Sequence, residues 1–484
     1  MAIDTGERRL VRQLGWVHGV TIMAGMMIGA GIFVVTGTAA GIMGPAVPLG
    51  FLAVVPLIIA TALIYSIYMS GPLGEHAGGA YVHISRTWNS LFAGYIVMWM
   101  KWIAYAGSIA AIGLDLGAVL HSFEVLSGLS AQTWTLAAIT LLFAINLLGV
   151  DIYGNAQALL TIPLVGILLL LVVPGLFVVD GGNFTPLFPQ ELYGGGYVDP
   201  VLAGVAVLLF SYVGFEALAQ AGEEMKAPQQ TLPKLFVYTS LGVGILYMLV
   251  TFVVIGVVGW QAAASAEAPL TAAARAYFPA GTATIVAFAS VLAYVTTMNT
   301  CYLVPSRLLY AFGKDNVVPS TLAHVNDRFR TPDVSLLITY VVSVVFVLTA
   351  TFQFAILITL ASVTLVYLTH SLSGMVLPWL RPELYERSQF RLSPVACAIV
   401  GGVSAVTMAV LGWQTLSVNG IAPAVGMVLR GNVVDGLTSN PALMLFVWGL
   451  AGAAIFFGHR AYLRATGTEI EDERSMRRLY DSAE

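Results

Sequence analysis

The stretch that decides the fold is TIMAGMMIGAGIFVVTG, Thr21–Gly37. It sits in an apolar run long enough to cross a bilayer, which takes roughly 20 residues. Yet Gly25, Gly29 and Gly31 fall together inside it, and glycine is among the poorest helix formers. Two readings compete. A Gly25-x-x-x-Gly29 spacing lets two helices approach closely in lipid. Alternatively the helix breaks, and its freed N–H and C=O groups line a cavity, the one place where unwound backbone is tolerated at membrane depth. A second anomaly favours the break: in LLFSYVGFEALAQAGEE, Leu208–Glu224, the residues Ser211, Gly214 and Glu216 interrupt another apolar span. Interrupted spans at matching positions of two halves point to a transporter's binding site. Helix N-termini at such a break attract anions and carbonyl ends attract cations, which suits a zwitterion.

The rest of the chain fits that setting. Of 484 residues, 58% are hydrophobic and only 10% charged, with a mean hydropathy of +0.86. Soluble domains carry about 25% charged residues, so the composition specifies an all-α integral membrane protein. Twelve apolar runs are read as spans, numbered helices 1 to 12: 16–41, 46–70, 90–119, 133–150, 156–179, 200–223, 235–259, 282–311, 334–351, 354–379, 394–413 and 441–463. Helices 1 and 6 each open a set of five. The expected organisation is an N-terminal segment 1–15, a first repeat 16–180 (helices 1–5), a second repeat 200–380 (helices 6–10), helices 11 and 12 over 390–464, and a tail 465–484. The polar head lacks a short apolar region with a small-residue cleavage site, so a removed signal peptide is not expected. Basic residues cluster on alternate connections: Arg8, Arg9 and Arg12 before helix 1, Arg86 after helix 2, Lys226 and Lys234 after helix 6, Arg307, Lys314, Arg328 and Arg330 after helix 8, and Arg381, Arg387 and Arg391 after helix 10. The other side holds Arg275 and Arg430. That bias predicts both termini in the cytoplasm and an even number of spans. Cys301 and Cys397 fall inside spans and read as core fillers. No P-loop, zinc spacing or nucleophile elbow argues for an enzyme.

Several motifs together resemble one family. IGAGIF (Ile28–Phe33), AGGAYVHISR (Ala77–Arg86), FSYVGFE (Phe210–Glu216) with GEEMKAPQQTLPK (Gly222–Lys234), and PSRLLYAFGKDNVVPSTLAHVNDRFRTPDVSLL (Pro305–Leu337) are similar to segments of the amino acid–polyamine–organocation superfamily of permeases. The resemblance runs from about residue 16 to 380. It implies a LeuT-type five-plus-five inverted repeat with two peripheral helices, helices 1 and 6 broken at mid-membrane, and secondary transport of amino acids or related amines. It further implies that Ala30, Gly31 and Ile32 offer backbone N–H groups to a substrate carboxylate. Ile28, Phe210 and Val213 would offer carbonyls to the ammonium. Phe210, Tyr212 and Phe215 would be lids over the pocket, with ordinary aromatic packing as the alternative.

Helix 8 carries Ala293, Thr296 and Thr297, spaced i, i+3, i+4 and therefore on one face. Two hydroxyls and a carbonyl there suit a small hard cation, although threonine in membrane helices also bonds back to its own i−4 carbonyl. The pattern resembles half of the sodium site in sodium-coupled members of this fold. The resemblance assigns the other half to the carbonyls of Gly25 and Ile28. Relatives that use protons or exchange often carry a lysine in helix 5 in that place. Here Ala156–Leu168 has none, and Leu164 falls near the expected position.

Lys101 lies about 16 Å along helix 3 at ~1.5 Å per residue, near the middle of a ~30 Å core. It must face the bundle, because a centred lysine costs roughly 2.5–3.5 kcal/mol. It either pairs with a carboxylate such as Glu216 as a gate or proton relay, contacts the substrate or the ion site, or bonds carbonyls structurally. Glu216 is the carboxylate at mid-depth beside a break, read as a gate or proton sensor or as a pin for the unwound strand. Glu223 and Glu224 should bond loop residues, and a lone His370 in helix 10 reads as packing. The expectation is a secondary transporter of a neutral amino acid, coupled to sodium, with an amino acid and the lipid bilayer as partners. No cofactor other than that coupling ion and no nucleic acid is expected. Proton coupling or exchange, and an anionic substrate held by Lys101, are the alternatives; a channel or receptor is the rival from another class.

Overall fold

The computed structural model describes residues 10–467 except 280, 350–351, 418–420, 433–435 and 437–438. Among the described residues there is no strand, only two isolated bridges, Leu14 with Met225 and Ala77 with Ala221. Each apolar run coincides with a helix: helix 1 Trp16–Met43, helix 2 Val47–Met69, helix 3 Leu91–Ser122, helix 4 Ala131–Leu147, helix 5 Val150–Gly175, helix 6 from Val198–Phe210 onward, helix 7 Pro228–Val258, helix 8 Thr282–Lys314, helix 9 Asp333–Leu348, helix 10 Phe352–Leu380, helix 11 Pro394–Ser417 and helix 12 Pro441–Ala465. Ten of the described helical segments are long and apolar enough to cross a membrane. Helices 4 and 9 are shorter apolar helices. The protein is an all-α, multi-pass membrane protein.

Starts and stops follow local chemistry. Ser90 and Ser130 cap helices 3 and 4, accepting hydrogen bonds from the N–H groups of Ala93 and Thr133, which otherwise lack partners. Helix 8 runs past its predicted end to Lys314, so Lys314 as well as Arg307 belongs to the helix and not to the following connection. An unpredicted short helix, Ala80–Thr87, sits between helices 2 and 3. It enters through Gly78 and Gly79, whose φ of +108° and +47° few other residues adopt.

The end of the molecule that carries the basic connections is closed by ion pairs. The guanidinium of Arg307 forks onto Glu224 at 2.9 and 2.8 Å with both side chains buried. That partner lies on helix 8, not on a loop as the sequence suggested. Glu223 accepts from the Tyr310 hydroxyl at 3.3 Å and lies 3.7 Å from Lys314. Arg86 forks onto Asp315 at 2.6 and 2.9 Å, and Tyr81 donates to the same carboxylate at 2.6 Å. Burial alone would raise the Asp315 carboxyl, but the Arg86 charge and these hydrogen bonds hold it below the usual carboxylate value. The chain before helix 1 adds to the seal: the N–H groups of Gln13 and Leu14 donate to the Glu224 carbonyl, each at 3.0 Å, and Lys226 N–H donates to Leu14 at 2.8 Å.

Candidate functional site

Both interruptions are real distortions, and they meet. Helix 1 is helical on either side of one residue, Gly29, whose φ and ψ are −22° and −147°. Helix 6 gives way at Phe210 to turns and then to a 3₁₀ segment, Phe215–Gln220. Gly214 takes φ +100° between them, a left-handed conformation that disfavours any side chain. Missing side chains are what let the two breaks touch. A Cβ on Gly31 would lie 2.9 Å from Ser211 Cα, and one on Gly214 would lie 2.2 Å from Met26 Cγ. The glycines therefore serve break and close approach together. The Tyr247 hydroxyl of helix 7 stands 2.5 Å from the Met27 carbonyl and 3.1 Å from the Ser211 carbonyl, sharing its proton between helix 1 just before its kink and helix 6 where it gives way.

Around this junction Ile28, Ile32, Tyr212 and Phe215 are buried, and Phe210 and Val213 are half-buried. Ala30 falls within helix 1, but its side chain lies outside what the structure describes. Tyr212 packs on Phe51 and Tyr247, with ring centroids 6.3 and 5.4 Å away. Phe215 meets Tyr65 edge-on at 5.6 Å and lies 5.4 Å from Tyr367. These two rings are parts of aromatic clusters. The hydroxyl oxygens of Ser211 and Tyr212 are buried without a hydrogen-bond partner, an uncommon state for buried polar atoms. A cavity of about 610 Å³ lined by Phe123, Thr271, Arg275 and Phe278 lies elsewhere and includes no residue of either break.

Against the helix 1 break stands helix 8. The Thr296 hydroxyl shares its proton between the Gly25 carbonyl at 3.1 Å and the Ala293 carbonyl at 2.9 Å. Thr297 donates to Ala293 at 2.9 Å. A Cβ on Gly29 would fall 1.6 Å from Thr297 Oγ1, so the glycine at the kink admits that hydroxyl. Four of the five oxygens assigned to sodium thus converge; neither threonine hydroxyl donates to the fifth, the Ile28 carbonyl. From helix 5, Gln157 and Thr161 face Gly25: a Cβ there would meet Gln157 Nε2 at 2.4 Å and Thr161 Oγ1 at 2.5 Å. Gln157 Nε2 donates to the Thr296 carbonyl at 3.2 Å. Its Oε1 accepts from Asn299 at 2.8 Å, and Asn299 accepts in turn from Asn146 at 2.8 Å. Sequence reasoning missed this chain of carboxamides because Asn and Gln spread over helices 4, 5 and 8 show no local pattern.

The helix 6 break carries charge. Lys101 Nζ donates to Glu216 Oε1, and both side chains are fully buried. The Tyr367 hydroxyl donates to Glu216 Oε2, and Tyr105 lies 3.4 Å from Oε1. The ammonium also faces the rings of Tyr105 and Tyr367, 5.5 and 5.3 Å from their centroids, where the ring quadrupole attracts it. The opposite charges sit together, so the break carries no net charge. Nor is His370 alone, as the sequence suggested: its Nε2 is 2.9 Å from His83 Nδ1 on the short helix.

Residues 14–430 match the family profile described as Amino acid permease. The chain is similar to the branched-chain amino acid permease BcaP of Bacillus subtilis, 27% identical over 69% of this chain and 74% of that one. It is similar to the cationic amino acid transporter 9, chloroplastic, of Arabidopsis thaliana, 31% identical over 67% of this chain and 59% of the plant protein. A methylthioribose transporter of Bacillus subtilis is 25% identical over 69% of this chain and 74% of its own length.

Proposed function

The chain belongs to the amino acid permease family, whose members are transporters and not enzymes, and from that premise we propose that it carries a neutral amino acid by alternating access with sodium as the coupling ion. The observation that carries this reading is the meeting of two distorted helices at a junction where Lys101 and Glu216 neutralise each other. Such a site has no spare charge for a cationic or anionic side chain, whereas unwound backbone suits both ends of a zwitterion. An anionic substrate would have to displace Glu216 from Lys101. The relatives' own names span branched-chain and cationic amino acids and methylthioribose, so the charge of the junction weighs more than any single relative.

The carboxylate end falls to Gly31 and Ile32, with Ala30, at the start of the second half of helix 1. The ammonium end falls to the carbonyls of Ile28, Phe210 and Val213, with Ser211 Oγ within reach of the same junction. Sodium falls to the Gly25, Ile28 and Ala293 carbonyls and the hydroxyls of Thr296 and Thr297. All are neutral oxygens, as a small hard cation prefers. Twelve spans arranged as repeats 16–180 and 200–380, a LeuT-type fold, cytoplasmic termini and a place in the cell membrane complete the reading. The orientation rests on the clustering of basic residues. A second reading, transport by protons or exchange, has one observation in its favour: Gln157 Nε2, a neutral donor bonded to the Thr296 carbonyl, stands beside Gly25, in the neighbourhood where relatives of that kind carry an amine.

A thermal-shift screen of the purified protein against the common amino acids, with and without sodium, tests the proposal. A ligand that binds only the folded state raises the unfolding temperature by mass action. Neutral amino acids are expected to stabilise the protein, and more so with sodium. Stabilisation by cationic or anionic amino acids alone would overturn the substrate class.

A further inference from the structure

We propose that His83 and His370 form a proton-binding site, and that a proton there favours opening of the basic end of the permease. The rings meet at 2.9 Å between His83 Nδ1 and His370 Nε2, and both residues are fully buried. Tyr68 stacks on His83 with centroids 4.5 Å apart, and Tyr65 stacks on His370 at 3.8 Å. The outer nitrogens, His83 Nε2 and His370 Nδ1, have no hydrogen-bond partner.

A neutral pair needs one N–H and one lone pair between the rings. One outer nitrogen is then a bare lone pair and the other an N–H without acceptor, whichever tautomer is drawn. A further proton would go to the bare nitrogen. That leaves two unpaired N–H groups and a full charge in a dry site, a costly state. No neighbour relieves it. Helix 2 contributes the phenol rings of Tyr65 and Tyr68, and helix 10 adds Tyr367, whose hydroxyl is given to Glu216. The charge that reaches His370 from helix 3 is that of Lys101, of like sign. Arg86, on the short helix itself, is turned to Asp315. From helix 11 the Ser404 hydroxyl is bonded to Ser371. Among the described residues no carboxylate bonds either ring. The closed arrangement therefore rejects the proton, and burial pushes the His83 imidazole down to about 3.

The pair also sits where a proton would have consequences. His83 lies on the short helix whose entry is tied to the inner part of helix 6, Gly78 N–H donating to the Gln220 carbonyl at 3.2 Å, and whose other end is held by the Arg86–Asp315 fork. His370 lies one turn from Tyr367, a partner of Glu216. Tyr65 packs at once on His370 and on Phe215, the residue before Glu216. Separating the short helix from helix 10 lets water reach the rings, which then titrate near the ordinary histidine value of ~6.5. The sign follows by linkage. The hydrated form binds more protons, so falling pH below ~6.5 draws the equilibrium toward it, by up to about tenfold per unit. The consequence for transport rests on the alternating-access reading; the proton site does not.

The test uses His83→Asn with His370→Gln, whose amides keep a neutral hydrogen bond at the positions of Nδ1 and Nε2 but cannot titrate. In oriented proteoliposomes the wild type should show a half-saturating substrate concentration at the basic face that falls about three- to tenfold between pH 7.5 and 5.5; the double variant should lose that response and keep its uptake at pH 7.5. Independently of transport, the wild-type unfolding temperature should fall more steeply than the variant's as pH drops from about 7 to 5. Matching pH profiles in wild type and variant, in both measurements, would overturn the proposal. A protein that transports nothing but shows the steeper wild-type unfolding profile would instead sink the transport reading and leave the proton site standing. Should the double variant not fold, calorimetry of wild-type protein and His83→Asn decides. Substrate binding near pH 6 takes up a proton in the wild type if the site exists, and equal proton uptake by both would refute it.

Discussion

The two broken helices solve the same problem with opposite chemistry. At the helix 1 break everything is neutral: a kinked glycine, backbone carbonyls, two threonine hydroxyls from helix 8 and a carboxamide from helix 5. At the helix 6 break the unwound backbone is held by a buried ion pair and two phenols. Neutral oxygens can accept a cation and release it at little cost. A buried ion pair loses much more when either partner goes, because the survivor is left as an uncompensated charge. The helix 1 side thus has the properties of a site that is occupied and vacated, and the helix 6 side those of a clamp.

If that contrast is right, breaking the clamp has the largest effect. Lys101→Met should destabilise the protein by roughly 3–5 kcal/mol, seen in chemical or thermal unfolding in detergent. Adding Glu216→Gln should recover most of the loss, since no buried charge then remains. A single variant as stable as the wild type would place Lys101 outside any clamp.

Gly29→Ala comes next. Its new methyl group would need the space of Thr297 Oγ1, and overpacking of this kind costs typically about 1–3 kcal/mol. The distinguishing readout is sodium: stabilisation by sodium should vanish while the Lys101–Glu216 pair stays intact. Gly31→Val is less informative, because its side chain would push directly on Ser211 and separate the two breaks whatever they bind.

Asp315→Asn probes the seal outside both breaks. It should cost about 1–3 kcal/mol near neutral pH by leaving buried donors of Arg86 and Tyr81 poorly matched. The sign of its pH dependence is fixed by the lowered Asp315 carboxyl. Its contribution is present above the ordinary value of 3.8 and is lost only as pH falls through the lower folded value. The gap between wild type and variant should therefore persist down to about pH 4 and close below it. The smallest effect on folding belongs to Thr297→Val. It should change stability by under about 1 kcal/mol yet raise the sodium concentration needed for half-maximal stabilisation severalfold.

What the sequence made legible follows the same division. Span positions were readable because lipid enforces long apolar runs, and the breaks because glycine and a mid-span Glu216 contradict those runs. The convergence of Ala293, Thr296 and Thr297 was readable from helical spacing within one segment. Contacts between segments were not. The His83–His370 pair joins residues far apart in sequence, and the Gln157–Asn299–Asn146 chain joins three helices, so neither leaves a periodic trace. That Gln157 and Thr161 stand nearest Gly25 was not readable either, because the rotation of helix 5 is set by packing that a single helix does not encode.

The most direct test of the central claim is uptake of a neutral amino acid into proteoliposomes at fixed pH, with an inward gradient of sodium or of choline. The account predicts concentrative uptake with sodium, little with choline or potassium, and a higher sodium requirement in Thr297→Val. Equal uptake in sodium and choline would contradict it and leave protons or exchange as the driving force, with Glu216 or Lys101 as the titrating group.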